Sequence, residues 1–181
     1  MKKKEAQINY FIWRYKFMSN YDGFLKLYKN AIKAEQEIIK ASISNKPFNW
    51  YYGEYTENDQ KYDCLTEGHV LVAFGFNTFA ISKEIFETRG NRVLNIAELL
   101  EKNAELPYEP AQLVGTKNVS SNKDVCCVLQ TETGEKVFFN KKYQKYFTDD
   151  VEYKVHDSKS LIKIYDSGVF MGIIMPVYVR E

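Results

Sequence analysis

The chain ends in a compact series of strands and turns, and this series constrains the possible folds more than any other feature. Asn140 can cap the free N–H groups of a short helix, which the apolar spacing predicts over Lys141–Phe147. Asp166-Ser167-Gly168 predicts a turn before the last strand. Alternating or continuous apolar residues predict three strands in all, Val151–His156, Leu161–Tyr165 and Val169–Val179. We therefore expect a short helix followed by an antiparallel meander.

Helices and strands of similar kinds are predicted along the rest of the chain. A long helix is predicted over Gly23–Ser42, and Asn95 with Glu98 is typical of a capping box that begins a helix over Ile96–Asn103. Strands are predicted from apolar patterns and turn residues over Ile8–Phe17, Phe48–Tyr55, Tyr62–Thr66, Val70–Phe74, Thr78–Ile81, Gln112–Val119, Val125–Thr131 and Glu135–Phe139.

Two of the predicted helices carry lysines on the side opposite their apolar residues. On Gly23–Ser42 this basic side contains Lys26, Lys29, Lys33 and Lys40. On Lys141–Phe147 the aromatic residues should face the core, which leaves outward Lys141, Lys142 and Lys145. Basic helix faces of this kind can contact DNA phosphates without reading bases, although a solvated surface face explains the same pattern.

Several short stretches resemble the bacterial DNA sliding clamp, the beta subunit of DNA polymerase III. The last clamp repeat is similar to Asn140–Tyr143, to Ser160–Ile164 and to the Ile-Met-Pro of residues 174–176. Leu65–Val72 resembles a turn between two clamp strands, with Glu67 in place of an aspartate. The resemblance covers roughly the last two-thirds of the chain and implies a clamp-like fold associated with DNA.

The expected architecture is one α+β domain over residues 1–181, resembling a single clamp domain. Two halves, each with a helix on an antiparallel sheet, would occupy about residues 1–105 and 111–181. The extended connector between them is predicted at Leu106–Pro110, because it contains two prolines. The apolar run Val169–Val179 contains Pro176, which cannot donate to a ladder and therefore predicts a sheet edge or a bulge at its end.

Composition and motifs favour a non-enzymatic protein of the cytoplasm. The net charge of +1 is not that of a polycation, so DNA binding would require lysines segregated onto one face. No phosphate-binding glycine loop, dinucleotide fingerprint or zinc set is present, and no segment is apolar enough to span a membrane; no cofactor or metal is expected. A Cys64–His69 pair and the Glu152-Tyr153-Lys154 motif are weak alternatives for catalysis.

Two hypotheses for function follow. The first is a non-enzymatic, clamp-like protein of replication or of mobile-element DNA metabolism, phage-encoded or otherwise, which contacts duplex phosphates through the seven lysines named above. The second is a protein-interaction module with a clamp-like fold, which docks a host protein or a copy of itself through a strand edge. A basic face that is salt-bridged in the structure would favour the second hypothesis.

Overall fold

The structure is a computed structural model that describes residues 32–41, 44, 49–57, 59–75, 98, 100, 103, 106–119, 124–147 and 150–179. The strands predicted over Ile8–Phe17 and Thr78–Ile81 lie outside these residues, as do Lys26 and Lys29. The predicted helix Gly23–Ser42 is confirmed where it is described, because residues 32–41 are helical.

Within the described residues, nine strands form one open sheet in which every pairing is antiparallel. The strands are β1 (Tyr51–Glu57), β2 (Gln60–Thr66), β3 (Val70–Gly75), β4 (Glu109–Val119), β5 (Asp124–Thr131), β6 (Lys136–Asn140), β7 (Glu152–Val155), β8 (Ile162–Asp166) and β9 (Val169–Ile174). Their order across the sheet is β1-β2-β3-β9-β8-β7-β4-β5-β6. Helix α1 (residues 32–41) and a 3₁₀ helix (Lys141–Tyr146) accompany the sheet, so the fold is α+β and rich in strand.

Local turn chemistry explains why the hairpins form where the sequence predicts them. The β2–β3 hairpin turns at Gly68, which has a φ of 93°, a conformation that glycine adopts without steric strain. The Thr66 hydroxyl accepts a hydrogen bond from the Gly68 amide. The β8–β9 turn places Ser167 and Gly168 at positive φ, as the Asp-Ser-Gly sequence predicts. Asn140 caps the 3₁₀ helix by accepting a hydrogen bond from the Lys142 amide at 3.0 Å.

The predicted position of the last strand needs a correction. β9 ends at Ile174, before Pro176, and it lies at the centre of the sheet with β3 on one side and β8 on the other. The inference of a sheet edge from Pro176 is therefore wrong, because this proline follows the strand and removes no donor from its ladders.

The sheet buries apolar residues on both faces. One face packs against α1 and the 3₁₀ helix, whose Ile38, Tyr143, Tyr146 and Phe147 are buried there as predicted for the aromatic residues. The opposite face holds a second cluster, where Phe170 contacts three tyrosine rings: Tyr55, Tyr62 and Tyr165. Most aromatic residues of the described ranges are thus buried in the core.

The predicted connector is shorter than expected. β4 begins at Glu109, and Pro110 lies opposite Lys154 of β7, so only residues 106–108 of the connector precede the strand. Strands from both sides of this connector share the sheet, since β3 pairs with β9. No helix in the described ranges is long and apolar enough to cross a membrane.

Candidate functional site

Strand β4 leaves the sheet partway along its length. Its β7 side is paired only at Glu109, Pro110 and Ala111, whereas its β5 side is paired as far as Val119. Among the described residues, no strand pairs with the β7 side of residues 112–119. Backbone N–H and C=O groups along this open edge can accept another strand.

The open edge is also exposed through its side chains. Seven consecutive residues, from Gln112 to Asn118, are exposed. Two of them are large and apolar: Leu113 is 42% exposed and Val114 is 53% exposed. Val114 lies in a register shift between Leu113 and Gly115, which places both apolar side chains at one bend in the strand.

A groove of about 450 Å³ lies where β4 and β7 diverge. Its apolar wall contains Ala111, Leu113, Val151 and Tyr153, and the remaining lining comes from Pro110, Gln112, Glu152 and Lys154. Because Ala111 opposite Tyr153 is the last β4–β7 pair, the groove begins where the ladder stops. An extended segment pairing with β4 would lie beside this wall.

β6, the outer strand of the β4-β5-β6 part of the sheet, differs from β4. The Val177 amide donates a 2.7 Å hydrogen bond to the Phe138 carbonyl of β6, so the segment after β9 lies against that strand. β4 therefore combines an unpaired backbone, exposed apolar side chains and an adjacent groove in one place.

Two of the candidate DNA-contact lysines hold the helices together. The Lys33 ammonium donates to the Lys145 carbonyl at 2.6 Å, and the Lys145 ammonium lies 2.7 Å from the Glu37 carboxylate. The Tyr146 hydroxyl donates to the other oxygen of Glu37 at 2.8 Å. Lys33 and Lys145 therefore join the two helices, and the Glu37 carboxylate lies beside Lys145.

Three further candidates, Lys40, Lys141 and Lys142, are exposed. Lys142 lies 4.6 Å from the centre of the Tyr143 ring, and its hydrogen bond with that tyrosine raises the pKa of the ammonium. All five described candidates are thus on the surface, and two of them, Lys33 and Lys145, also make contacts between the helices.

A buried polar cluster connects β1 to β8. Glu57 accepts hydrogen bonds from the Tyr55 hydroxyl, from the Tyr165 hydroxyl at 2.7 Å and from the Lys163 ammonium at 3.3 Å. Burial alone would raise the pKa of Glu57, but these hydrogen bonds and the charge of Lys163 bring it below its ordinary value. The Lys163 ammonium also lies 4.8 Å from the centre of the Tyr108 ring.

The ion pair in this cluster is largely shielded from solvent. The Glu57 and Lys163 side chains are 12% and 9% exposed. Burial, with the charges of Asp157 and Glu57, raises the pKa of Tyr108 to about 12, so this phenol remains protonated at neutral pH.

The residues of the two catalytic alternatives are not assembled into a site by the described part of the chain. Cys64 is fully buried, which raises the pKa of its thiol, while His69 stacks on Tyr143 with ring centres 6.2 Å apart. Glu152 and Lys154 line the groove beside β4, and Lys154 lies 4.5 Å from the centre of the Tyr165 ring. Within the described residues, no group of three or more His, Cys, Asp or Glu side chains could hold a metal.

Sequence reasoning missed the open edge of β4. The one local signal is the pair Leu113-Val114, because two successive large apolar residues before Gly115 break the alternation of an ordinary strand. Comparison with models of protein families, with curated proteins and with solved structures finds no match to this chain. The resemblance to sliding clamps stays a prediction.

Proposed function

We propose that this chain is a protein-interaction module that binds an extended protein segment along the open edge of β4. The observation that carries the proposal is the end of β4–β7 pairing at Ala111, beyond which seven of the eight remaining residues of β4 are paired with β5 alone. Backbone hydrogen bonds to the added strand would supply affinity, and the groove beside β4 would supply side-chain selectivity.

The groove favours one kind of partner residue. On the face that contains the main core, its wall is formed by Ala111, Leu113, Val151 and Tyr153. Alternate side chains of a strand point to the same face, so a partner with apolar residues at every second position would place one of them on this wall. We therefore propose an alternating apolar and polar segment as the ligand.

A panel of random peptides displayed on phage tests this function without knowledge of the natural partner. We expect selection on the wild-type chain to enrich peptides with apolar residues at alternate positions. Binding of the enriched peptides should fall at least about tenfold in Leu113→Lys, since the charge would have to be buried on the apolar wall. Tyr178→Lys, a change at an exposed residue after β9, is the matched control and should bind as the wild type does.

Two results would contradict the proposal. One is selection that enriches no peptide above a background of uncoated support. The other is a set of enriched peptides that bind Leu113→Lys and wild type equally, because such peptides would use another surface.

DNA association through a clamp-like arrangement is the second candidate function. The strand order supports a repeated plan. The sets β1-β2-β3 and β7-β8-β9 meet at the antiparallel β3–β9 pair. Each set of three strands follows a helix in the sequence. Exposed Lys40, Lys141 and Lys142 remain as possible phosphate contacts. The Lys145–Glu37 pair and the Lys33 hydrogen bond make us place this function second.

Salt-dependent binding to an unrelated set of DNA duplexes tests the second candidate. If it is correct, Lys141→Glu with Lys142→Glu should weaken binding to all duplexes alike and reduce the slope of log affinity against log salt by about two units. Lys159→Glu, at an exposed lysine in the β7–β8 loop, is the control. Wild-type affinity that does not change with salt would exclude phosphate contacts as its source.

A further inference from the structure

We infer that the segment bound along the open edge of β4 is basic as well as apolar, with a Lys or Arg directly beside the apolar residue that packs on the groove wall. This inference rests on the proposed function and names the chemistry of its partner. It follows from three features of the groove: the faces on which its side chains lie, the position of the Glu152 carboxylate and the placement of the nearby lysines.

The two faces of β7 separate the apolar wall of the groove from its charges. Tyr153 lies opposite Ile164 of β8, and both belong to the main core cluster. Glu152 and Lys154 are the neighbours of Tyr153 in the strand, so they lie on its other face. Glu152 lies opposite Tyr165, a member of the second cluster. An added strand that packs an apolar side chain on the wall therefore directs its two neighbouring side chains to the face that carries Glu152.

Glu152 lies on the open side of the last β4–β7 pair. That pair joins Ala111 to Tyr153, and Glu152 is the next residue of β7 toward the groove, whereas Lys154 is opposite Pro110 on the paired side. The Glu152 side chain is exposed, and among the described residues that line the groove it carries the only carboxylate. No residue that the structure describes makes an ion pair or a hydrogen bond with this carboxylate. It can therefore accept hydrogen bonds from a cation of an added segment.

The lysines of β4 and β7 lie against aromatic rings of other strands. The Lys154 ammonium lies 4.5 Å from the centre of the Tyr165 ring of β8. The Lys117 ammonium lies 5.6 Å from the centre of the Phe138 ring of β6, so this side chain extends across β5, away from the open edge. Neither lysine forms an ion pair with Glu152, and the carboxylate is left to a cation of the partner.

Charge is the feature that can distinguish one extended segment from another at this edge. Backbone hydrogen bonds to β4 are the same for every sequence, and the apolar wall accepts any apolar side chain of suitable size. A basic residue beside that side chain would be attracted by Glu152, whereas an acidic residue there would be repelled. Because the site is at an exposed rim, we expect exchange of one charge to change affinity about tenfold and added salt to reduce the effect.

Selection from a defined peptide library tests this inference. The peptides are about nine residues long, with Val at every second position and Lys, Glu or Ser drawn equally at the positions between. We expect wild type to enrich Lys over Glu and Glu152→Lys to enrich Glu over Lys. Glu132→Lys makes the same change at an exposed residue of the β5–β6 turn and should keep the wild-type preference. That turn lies on the paired side of the groove, since its Thr133 hydroxyl donates to Glu109 at the start of β4.

Fluorescence polarisation then measures the preference for a single position. One labelled peptide is the most enriched sequence, and the second has Glu in place of its enriched Lys. Wild type should bind the Lys peptide about tenfold more tightly than the Glu peptide, and Glu152→Lys should reverse this order. Glu152→Gln should reduce the preference to less than about threefold, as should about 0.5 M sodium chloride with the wild type. Thermal unfolding checks that each variant is folded.

The results separate this inference from the function on which it rests. Peptides that bind wild type and fail on Leu113→Lys, but do not prefer Lys or keep that preference on Glu152→Lys, overturn the inference and leave the interaction module standing. The same conclusion follows if this library yields no binder while the random peptides do. If neither library yields a peptide that binds at Leu113, the proposed function fails and the inference fails with it.

Discussion

Strands β9 and β4 both contain a glycine next to an irregularity in their ladder, yet they differ in almost every other respect. β9 is paired on both sides and five of its six residues are buried. β4 is paired on one side beyond Ala111, and its residues 112–118 are exposed. The chain thus places its most constrained and its least constrained strand in the same sheet.

The surroundings of the two glycines show what this difference means. A Cβ atom on Gly172 of β9 would collide with the Leu71 carbonyl oxygen of β3 and crowd the Phe147 ring. A Cβ atom on Gly115 of β4 would meet no atom within 4 Å. Substitutions in β9 are therefore expected to lower the free energy of unfolding. Substitutions in the exposed part of β4 should mainly change the binding of an extended segment at its open edge.

The largest effect is expected from Gly172→Ala. The added methyl group must displace backbone of β3, and φ is 146°, which side chains rarely adopt. Overpacking and backbone strain together should lower the free energy of unfolding by roughly 3 kcal/mol or more, as measured by urea titration. Gly115→Ala is the matched change, because Gly115 has a φ of 158° and shares the backbone strain while its methyl group would meet no atom. The comparison breaks if Gly115→Ala destabilises the chain as much as Gly172→Ala.

The next effect concerns the buried ion pair beside β9. Glu57→Gln leaves the Lys163 ammonium buried without its carboxylate, and the loss should be about 3 kcal/mol in the same titration. Glu54→Gln removes the carboxylate from an exposed pair with Lys61 and should cost less than about 1 kcal/mol. Equal losses in the two variants would show that the Glu57 cluster is open to water.

The same cluster predicts a pH dependence of stability. The pKa of Glu57 is lower in the folded chain than its ordinary value of about 4.5, so its ion pair stabilises the fold above about pH 4.5. This contribution is lost as pH falls from there through the folded pKa. The difference in unfolding free energy between wild type and Glu57→Gln should therefore be full at pH 7 and shrink below about pH 4.5, and a difference that grows on acidification would reverse the assigned sign.

The smallest effect on stability is expected at Val114. Val114→Lys replaces an exposed residue in the bulge of β4, so the free energy of unfolding should change by less than about 0.5 kcal/mol. The same variant should bind the peptides selected by display more weakly, since its charge would lie beside the added apolar segment. A large loss of stability would mean that Val114 is covered by the chain itself.

Local features of the fold were predictable from the sequence. Gly68 and the Asp166-Ser167-Gly168 turn specify their hairpins through residues that tolerate positive φ, and both are confirmed. Asn140 caps its helix as predicted, and Tyr143 and Tyr146 face the core, although the helix is of the 3₁₀ type. Each of these features depends on neighbours in sequence.

Features that depend on distant strands were not predictable in this way. The central place of β9 depends on its pairing with β3, about a hundred residues earlier, and Pro176 alone suggested an edge. From the sequence alone Lys163 resembles a solvent-facing strand residue, but in the fold it contacts Glu57 of β1. Lys145 resembles a free basic residue of a helix until α1 brings Glu37 to it, and the open edge of β4 depends on the short length of β7.

Hydrogen–deuterium exchange with and without a peptide selected by display tests the central claim most directly, because it measures β4 and β9 in one sample. In the free protein, amides of residues 112–119 on the open side of β4 should exchange quickly while β9 amides exchange slowly. With saturating peptide the β4 amides should become protected, with β9 unchanged. If β4 exchanges as slowly as β9 in the free protein, the edge is not open and the proposed binding site is wrong.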